Sequence, residues 1–209
     1  MSAPASPHFS TKERILSAAE ALFAEHGFAG TSLRLVTSQA DVNLAAVNYH
    51  FGSKDNLVAE VFRRRMDEMS RARLERLKAA RSDAPGQLEA VLHAFIDPAL
   101  ALSMDRQGGG AFVRVLARAY AERNDRLRKF LSDNYGHVLR EFSRAIAECL
   151  PHLGKEALYW RLDFLAGALT YAMADFGLLR RSDDVDEKTH CERAANELVA
   201  FASAGFRAG

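Results

Sequence analysis

The sequence predicts an all-α protein, and three observations carry that prediction. Apolar residues recur three and four positions apart along most of the chain, the spacing that lines one side of a helix. Cap-forming residues, among them Ser10, Ser32, Asn43, Ser53 and Asn124, stand just ahead of these segments. No segment alternates apolar and polar residues in the manner of a strand, and no fixed-period repeat is present. About nine helices are expected.

Residues 1–10 read as a flexible N-terminal arm, small, polar and proline-containing. Ser10 with Glu13 makes a capping box that starts the first helix, whose buried stripe is Ile15, Ala19, Leu22 and Phe23 and whose end is Gly27. A second helix, capped by Thr31 or Ser32, carries Leu33, Val36 and Ala40 on its inner side and stops near Asp41. Asn43 then caps a third, Leu44 to His50. In it Val47 faces inward and Ala45, Ala46, Asn48 and Tyr49 are left outside. Two short helices about a tight turn make a helix-turn-helix, and residues 11–53 form that domain. Small residues let its backbone approach base edges, Asn can pair bidentately with adenine, and Tyr and His can reach phosphates.

Gly52 permits a turn and Ser53 caps a long fourth helix reaching Arg81–Asp83. Its first N–H groups and Lys54 could hold a phosphate together. Between Arg63 and Arg81 it carries eight basic residues against three acidic ones, the mark of a solvated face. Pro85 fits the first turn of the fifth helix, and Pro98 should kink or end it. Ser103–Gly110 is a loop with three consecutive glycines, without the strand, GxGxxG spacing or Gly-Lys-Ser/Thr of a nucleotide cradle. Helices resume at Phe112–Glu122, Asn124–Leu150 and Lys155–Arg181, and the last runs from Asp184 or Asp186 towards Phe206. In the helix from Lys155, Leu158, Leu162, Leu165, Leu169, Ala172, Phe176 and Leu179 form one apolar stripe, and Ala194, Ala195, Leu198, Phe201, Ala202 and Phe206 form another in the last helix. A helix apolar on more than one side needs more than one neighbour, and a second subunit can supply it.

Composition excludes more than it assigns. The net charge is +1 and the pI about 7.9, so any affinity for nucleic acid must come from local charge. Cys149 and Cys191 form no zinc ribbon or redox pair, and the seven histidines show no metal-ligand spacing. No nucleophile motif appears. Neither a metal, a cofactor nor catalysis has support, and with no signal region or membrane-length apolar run a soluble cytoplasmic protein is expected.

The run VNLAAVNYHFGSKDNL, with the preceding KERILSAAEALFAEHGFAGTSLR, resembles the DNA-binding domain of the TetR family of bacterial transcriptional regulators. The resemblance covers Thr11 to Phe62 motif by motif and the rest by size and helical character. It implies that Arg34, Asn43, Leu44, Ala45 and Asn48 contact bases, while Ser32, Tyr49, His50 and Lys54 hold the phosphate backbone. Many members have Tyr where Asn48 stands here, and Ser or Lys near Asn43 and Leu44, departures that alter which operator is read.

The resemblance also implies that residues 54–209 form a helical effector-binding and dimerisation domain. The last two helices would build a homodimer on a double-stranded, palindromic DNA operator. Candidate ligand-binding residues are Phe95, Phe112, Leu116, Tyr135, Phe142, Trp160, Phe164 and Tyr171, with Arg114 and Asp163 as embedded charges needing a partner or ligand, and Asp175 in the same role. The segment YWRLDFLAGALTYAM is similar to a subgroup responding to long-chain fatty acids or their coenzyme A esters. The expected function is therefore a repressor released from its operator by a small hydrophobic effector. The alternative is a helix-turn-helix scaffold serving protein interaction without DNA, against which the retained polar set Arg34, Asn48, Tyr49 and Lys54 argues.

Overall fold

A computed structural model describes residues 9–105, 108–122, 124–174 and 185–208. Among them lie nine helices and no strand: α1 (Thr11–Gly30), α2 (Leu33–Ala40), α3 (Leu44–Phe51), α4 (Lys54–Asp83), α5 (Leu88–Ser103), α6 (Gly109–Ala121), α7 (Asp125–Cys149), α8 (Lys155–Met173) and α9 (Glu187–Arg207). None of these helices is long and apolar enough to cross a membrane.

Local chemistry sets most of the starts. Ser10 accepts from the Glu13 N–H while the Glu13 carboxylate accepts from the Ser10 N–H, the reciprocal box read in the sequence. Asn124 and Asp186 cap α7 and α9 by the one-way bond alone, each accepting from the N–H three residues on. α1 breaks where Gly27 was expected to end it, at φ 74°, but a further turn follows to Gly30.

Three expectations need correction. Pro85 lies in the turn before α5, which starts three residues later at Leu88. Pro98 does not end α5. The helix runs on past the buried ring to Ser103, one backbone hydrogen bond short because Pro has no N–H to donate. The loop expected from Ser103 to Gly110 gives way to α6 at Gly109, because the glycines serve close packing: a Cβ on Gly109 would lie 2.0 Å from the Leu102 carbonyl oxygen, and one on Gly108 2.5 Å from an Arg65 nitrogen. The expected extension of α8 to Arg181, with Asp175, Phe176 and Leu179, falls outside the described residues.

Two apolar clusters organise the chain. One joins Ile15, Phe23, Val36, Val47, Phe51, Leu57 and Phe62 of α1–α4 to Phe112, Val115, Ala119 and Leu127 of α6 and α7. The other gathers Leu92, Phe95, Ile96, Phe142, Ile146, Leu158, Leu165, Leu169, Val199 and Phe206 from α5 and α7–α9. Each large side chain so buried stabilises the fold by roughly 1.5–3 kcal/mol. Met66 and Leu102 pack against both clusters, so α4 and the end of α5 are the seam between them. Buried charge reinforces the seam. Arg65 of α4 meets Glu20 of α1 at 3.2 Å and Asp105, between α5 and α6, at 2.6 Å. Burial pushes the Glu20 carboxyl above its ordinary range against the pull of Arg65.

Candidate DNA-binding face and effector cavity

The reading unit is α2, its turn and α3, and its backbone is satisfied from within. Ser32 accepts from the Leu35 N–H at 3.1 Å, Asn43 from Ala46 at 2.9 Å and Ser53 from Asn56 at 3.1 Å. A capping oxygen leaves the Ser32 O–H and the Asn43 amide NH2 able to donate outward. Asp41 takes the left-handed conformation at φ 51°, which turns the chain sharply enough to set α3 across α2. Arg14 of α1 holds that turn, donating to the carbonyls of Ala40 and Asp41 at 2.6 and 2.7 Å and to the Asp41 carboxylate at 3.2 Å.

Val47 and Phe51 anchor α3 in the core, and so fix which side faces out. Asn43, Leu44, Ala45, Asn48, Tyr49 and His50 are all exposed there, as are Ser32 and Arg34 on α2. Tyr49 is 86 % exposed, with the His50 ring edge-on at 5.1 Å. Ala46, expected on the outer side, is half-buried against the core. Lys54 stands at the first position of α4, half-buried, where the helix N-terminus adds positive potential. A compact head thus presents polar and small apolar groups to solvent.

A cavity of about 360 Å³ opens between α4, α5, α6, α7 and α8. Its walls are Met66 and Met69 of α4, Phe95 of α5, Leu116 of α6, Leu131, Tyr135 and Val138 of α7, and Leu169 and Met173 of α8. The Tyr135 hydroxyl donates to Asp67 at 2.6 Å, and burial with that carboxylate beside it raises the phenol above its ordinary value. Arg73 is buried here, its Nε donating to the Phe95 carbonyl at 2.9 Å and its guanidinium 3.9 Å from the Phe95 ring centre. A wider open groove of about 710 Å³ runs outside it along α7 and α8, sharing Leu139, Ala166 and Thr170 with the cavity wall.

The sequence-derived ligand set divides between these places. Phe95, Leu116 and Tyr135 line the cavity, and Asp163 and Tyr171 line the outer groove. Phe142 stacks edge-on against Phe95 at 5.0 Å inside the C-terminal core, and Phe112 packs on Phe62 at 5.5 Å inside the head core. Trp160 and Phe164 are 57 % and 65 % exposed and stack on each other at 5.9 Å on the surface. Arg114 and Asp163, expected to be embedded, are both exposed, and the arginines that are buried are Arg65 and Arg73, of which Arg73 lines the cavity. Arg73 belongs to the basic run expected to be solvated, and a charged helix gives no local sign of which residue meets a neighbour. Among the described residues no cluster of His, Cys, Asp and Glu could hold a metal.

Comparison with known proteins bears on both halves. Residues 15–61 match the model for bacterial regulatory proteins of the tetR family, and residues 93–205 match that for a tetracycline repressor-like C-terminal domain. The chain belongs to the TetR family. Its relatives include a helix-turn-helix transcriptional repressor of Mycobacterium tuberculosis, 33% identical over 200 residues that span 89% of this chain and 85% of that one. The transcriptional regulator BetI of Paraburkholderia xenovorans is 27% identical over 69% of this chain and 74% of its own. Among solved structures, a TetR-like regulator from Rhodococcus superposes with a TM-score of 0.65 at 18% identity, covering 98% of this chain and 100% of that one. A putative tetR regulator from Shewanella gives 0.64 at 20% identity over 95% and 96%. This TetR-family protein is a DNA-binding transcriptional regulator and not an enzyme.

Proposed function

We propose that this regulator is a homodimeric repressor that reads a palindromic operator with α3 and is released by a small hydrophobic effector in the cavity of its C-terminal half. The observation that carries the reading is the exposed surface of α3, where Leu44, Asn48 and Tyr49 stand in solvent on a helix fixed from behind by Val47 and Phe51. Arg34, Asn43, Leu44, Ala45 and Asn48 are assigned to bases, and Ser32, Tyr49, His50 and Lys54 to phosphates. Two heads about a two-fold axis place two such helices in successive major-groove faces, which demands a palindrome.

The exposed aromatic band Trp160, Phe164 and Tyr171 on α8, with Phe201 on α9, supports a dimer through the last two helices. The apolar cavity walls support an elongated apolar effector, a fatty acid or acyl thioester, held between α4, α5, α7 and α8. An effector releases DNA only if it binds one dimer shape better than the other.

Selection from a random DNA pool tests the reading, with recovery of a palindrome as the expected outcome. On that site Asn48→Ala should relax preference at one base position and cost about 1–3 kcal/mol, while Lys54→Ala should weaken all sequences alike and lower the salt slope by about one. Specific binding unchanged by both substitutions would sink the assignment. For the effector, acids and thioesters of rising chain length are titrated into the complex and DNA release is followed by anisotropy. Potency should rise by about 0.8 kcal/mol per buried methylene until the cavity is full. Release by flat cations with no response to acyl chains would assign the cavity to another ligand class.

A further inference from the structure

We infer that Arg118, Glu122 and Arg126, at the corner where α6 turns into α7, are positioning residues of the DNA-binding head and link it to the wall of the cavity. The inference goes beyond the proposed function in naming the contact by which the two halves sense each other, and it rests on that reading of α3.

The break at Gly27 creates the docking point. Its φ of 74° interrupts α1, so the last carbonyls before it and the first N–H after it lose their helical partners. Arg118 of α6 and Glu122, the residue that caps it, supply both. Arg118 donates from Nε to the Ala24 carbonyl at 3.0 Å and from Nη2 to the Glu25 carbonyl at 2.7 Å, placing positive charge at the negative end of a helix. One turn further along α6, both carboxylate oxygens of Glu122 accept from the Phe28 N–H at 3.2 Å. A Cβ on Gly27 would stand 2.3 Å from Glu122 Oε1, so the carboxylate fills the space that glycine leaves. On the other side of the corner Arg126 forms an ion pair with Asp55, the residue after Lys54. That pair is exposed and aligns more than it stabilises.

The same two helices face the cavity. Phe112, Val115 and Ala119 of α6, with Leu127 of α7, are buried in the head core, whereas Leu116 of α6 and Leu131, Tyr135 and Val138 of α7 line the cavity. Close-packed interiors transmit displacement, so a shift of the wall at Leu116 carries the Arg118–Glu122 clamp and the end of α1 with it. α1 also bears Arg14, which holds the α2–α3 turn. A continuous set of contacts therefore runs from the cavity through α6 and α1 to the reading helix, beside the covalent route along α4.

Linkage makes the inference testable without an identified effector, because DNA bound at the head must then act on the cavity wall. Hydrogen exchange is measured on the full chain with and without the duplex recovered from the random pool. In the wild type the duplex should slow exchange in residues 131–138 of α7 as well as in the head. In the Arg118→Ala/Glu122→Ala variant the head should still be protected, while the protection gained across residues 131–138 should fall at least about fivefold. Glu122→Gln, which keeps an acceptor oxygen for the Phe28 N–H, should retain it. Should the double variant fail to fold, the single Arg126→Ala change at an exposed pair takes its place and should lower the same protection. Protection across residues 131–138 that is absent in the wild type, or equal in wild type and clamp variants, overturns the inference while leaving the repressor reading intact. Failure to recover any bound duplex overturns both.

Discussion

At the scale of single residues, the head depends on a left-handed aspartate. Asp41 is the one described non-glycine residue with positive φ, in the turn that sets α3 against α2. That conformation costs an L-residue up to about 1–2 kcal/mol, somewhat less for Asp, and Arg14 offsets it by bonding two carbonyls and the carboxylate at once. Arg14→Ala should therefore lower the stability of the head by about 1 kcal/mol and weaken operator binding, because the freed turn lets α3 wander. Asp41→Gly removes the conformational cost and should restore both when added to Arg14→Ala, as thermal melts and DNA titrations would show. A double variant no better than the single one would place the role of Arg14 elsewhere. The caps at Ser10, Ser32, Asn43 and Ser53 were legible in the sequence because each acts within three residues of itself. Arg14 was not, since its partners lie 26 and 27 positions away.

At the scale of an element, α8 shows why periodicity locates a helix better than it assigns the sides. The Leu158–Leu162–Leu165–Leu169 stripe is clear in the sequence, where the need for more than one neighbour leaves part of it open to a second subunit as well as to the core. It is core, with Leu165 and Leu169 only 4 % and 3 % exposed. Trp160, Phe164 and Tyr171, read as ligand residues, lie on the opposite, exposed side. Both stripes are apolar and both repeat at helical spacing, so hydrophobicity alone cannot say which meets α5, α7 and α9 and which meets a partner. Two substitutions one residue apart separate the roles. Phe164→Glu should leave the helical content intact yet give a monomer by sedimentation, with operator affinity reduced at least about tenfold through loss of the second head. Leu165→Glu should bury a charge in the core and destabilise by at least about 3 kcal/mol, unfolding the C-terminal half. A folded Phe164→Glu dimer would remove this side of α8 from the interface.

For the whole molecule, the all-α architecture and the order of its helices were readable because caps, glycines and apolar spacing are local signals. The partition of the core was not. Phe112 and Leu127 sit far along the chain yet belong to the head, a fact that only the return of α6 onto α1 and α4 creates. The far end is fastened by a similarly long-range contact between α5 and α9. Arg207 donates to the two carboxylate oxygens of Glu89 at 2.5 and 2.9 Å, and the Ser203 hydroxyl donates to the first of them at 2.6 Å. The Arg207 and Ser203 hydrogen bonds hold the Glu89 carboxyl down at about 2, against an ordinary value of 4.5. A group whose pKa is depressed by folding stabilises the native state fully above its unfolded value, and that share disappears as the pH falls through the folded one. The difference in melting temperature between the wild type and Glu89→Gln should accordingly be constant from pH 7 down to about 4.5 and shrink steadily as the pH falls from there towards about 2. Other carboxylates titrate over the same range but do so alike in both proteins, so the difference isolates Glu89. A gap that stays unchanged down to pH 2.5 would mean that solvent screens the contact too well for it to fasten α9 to α5.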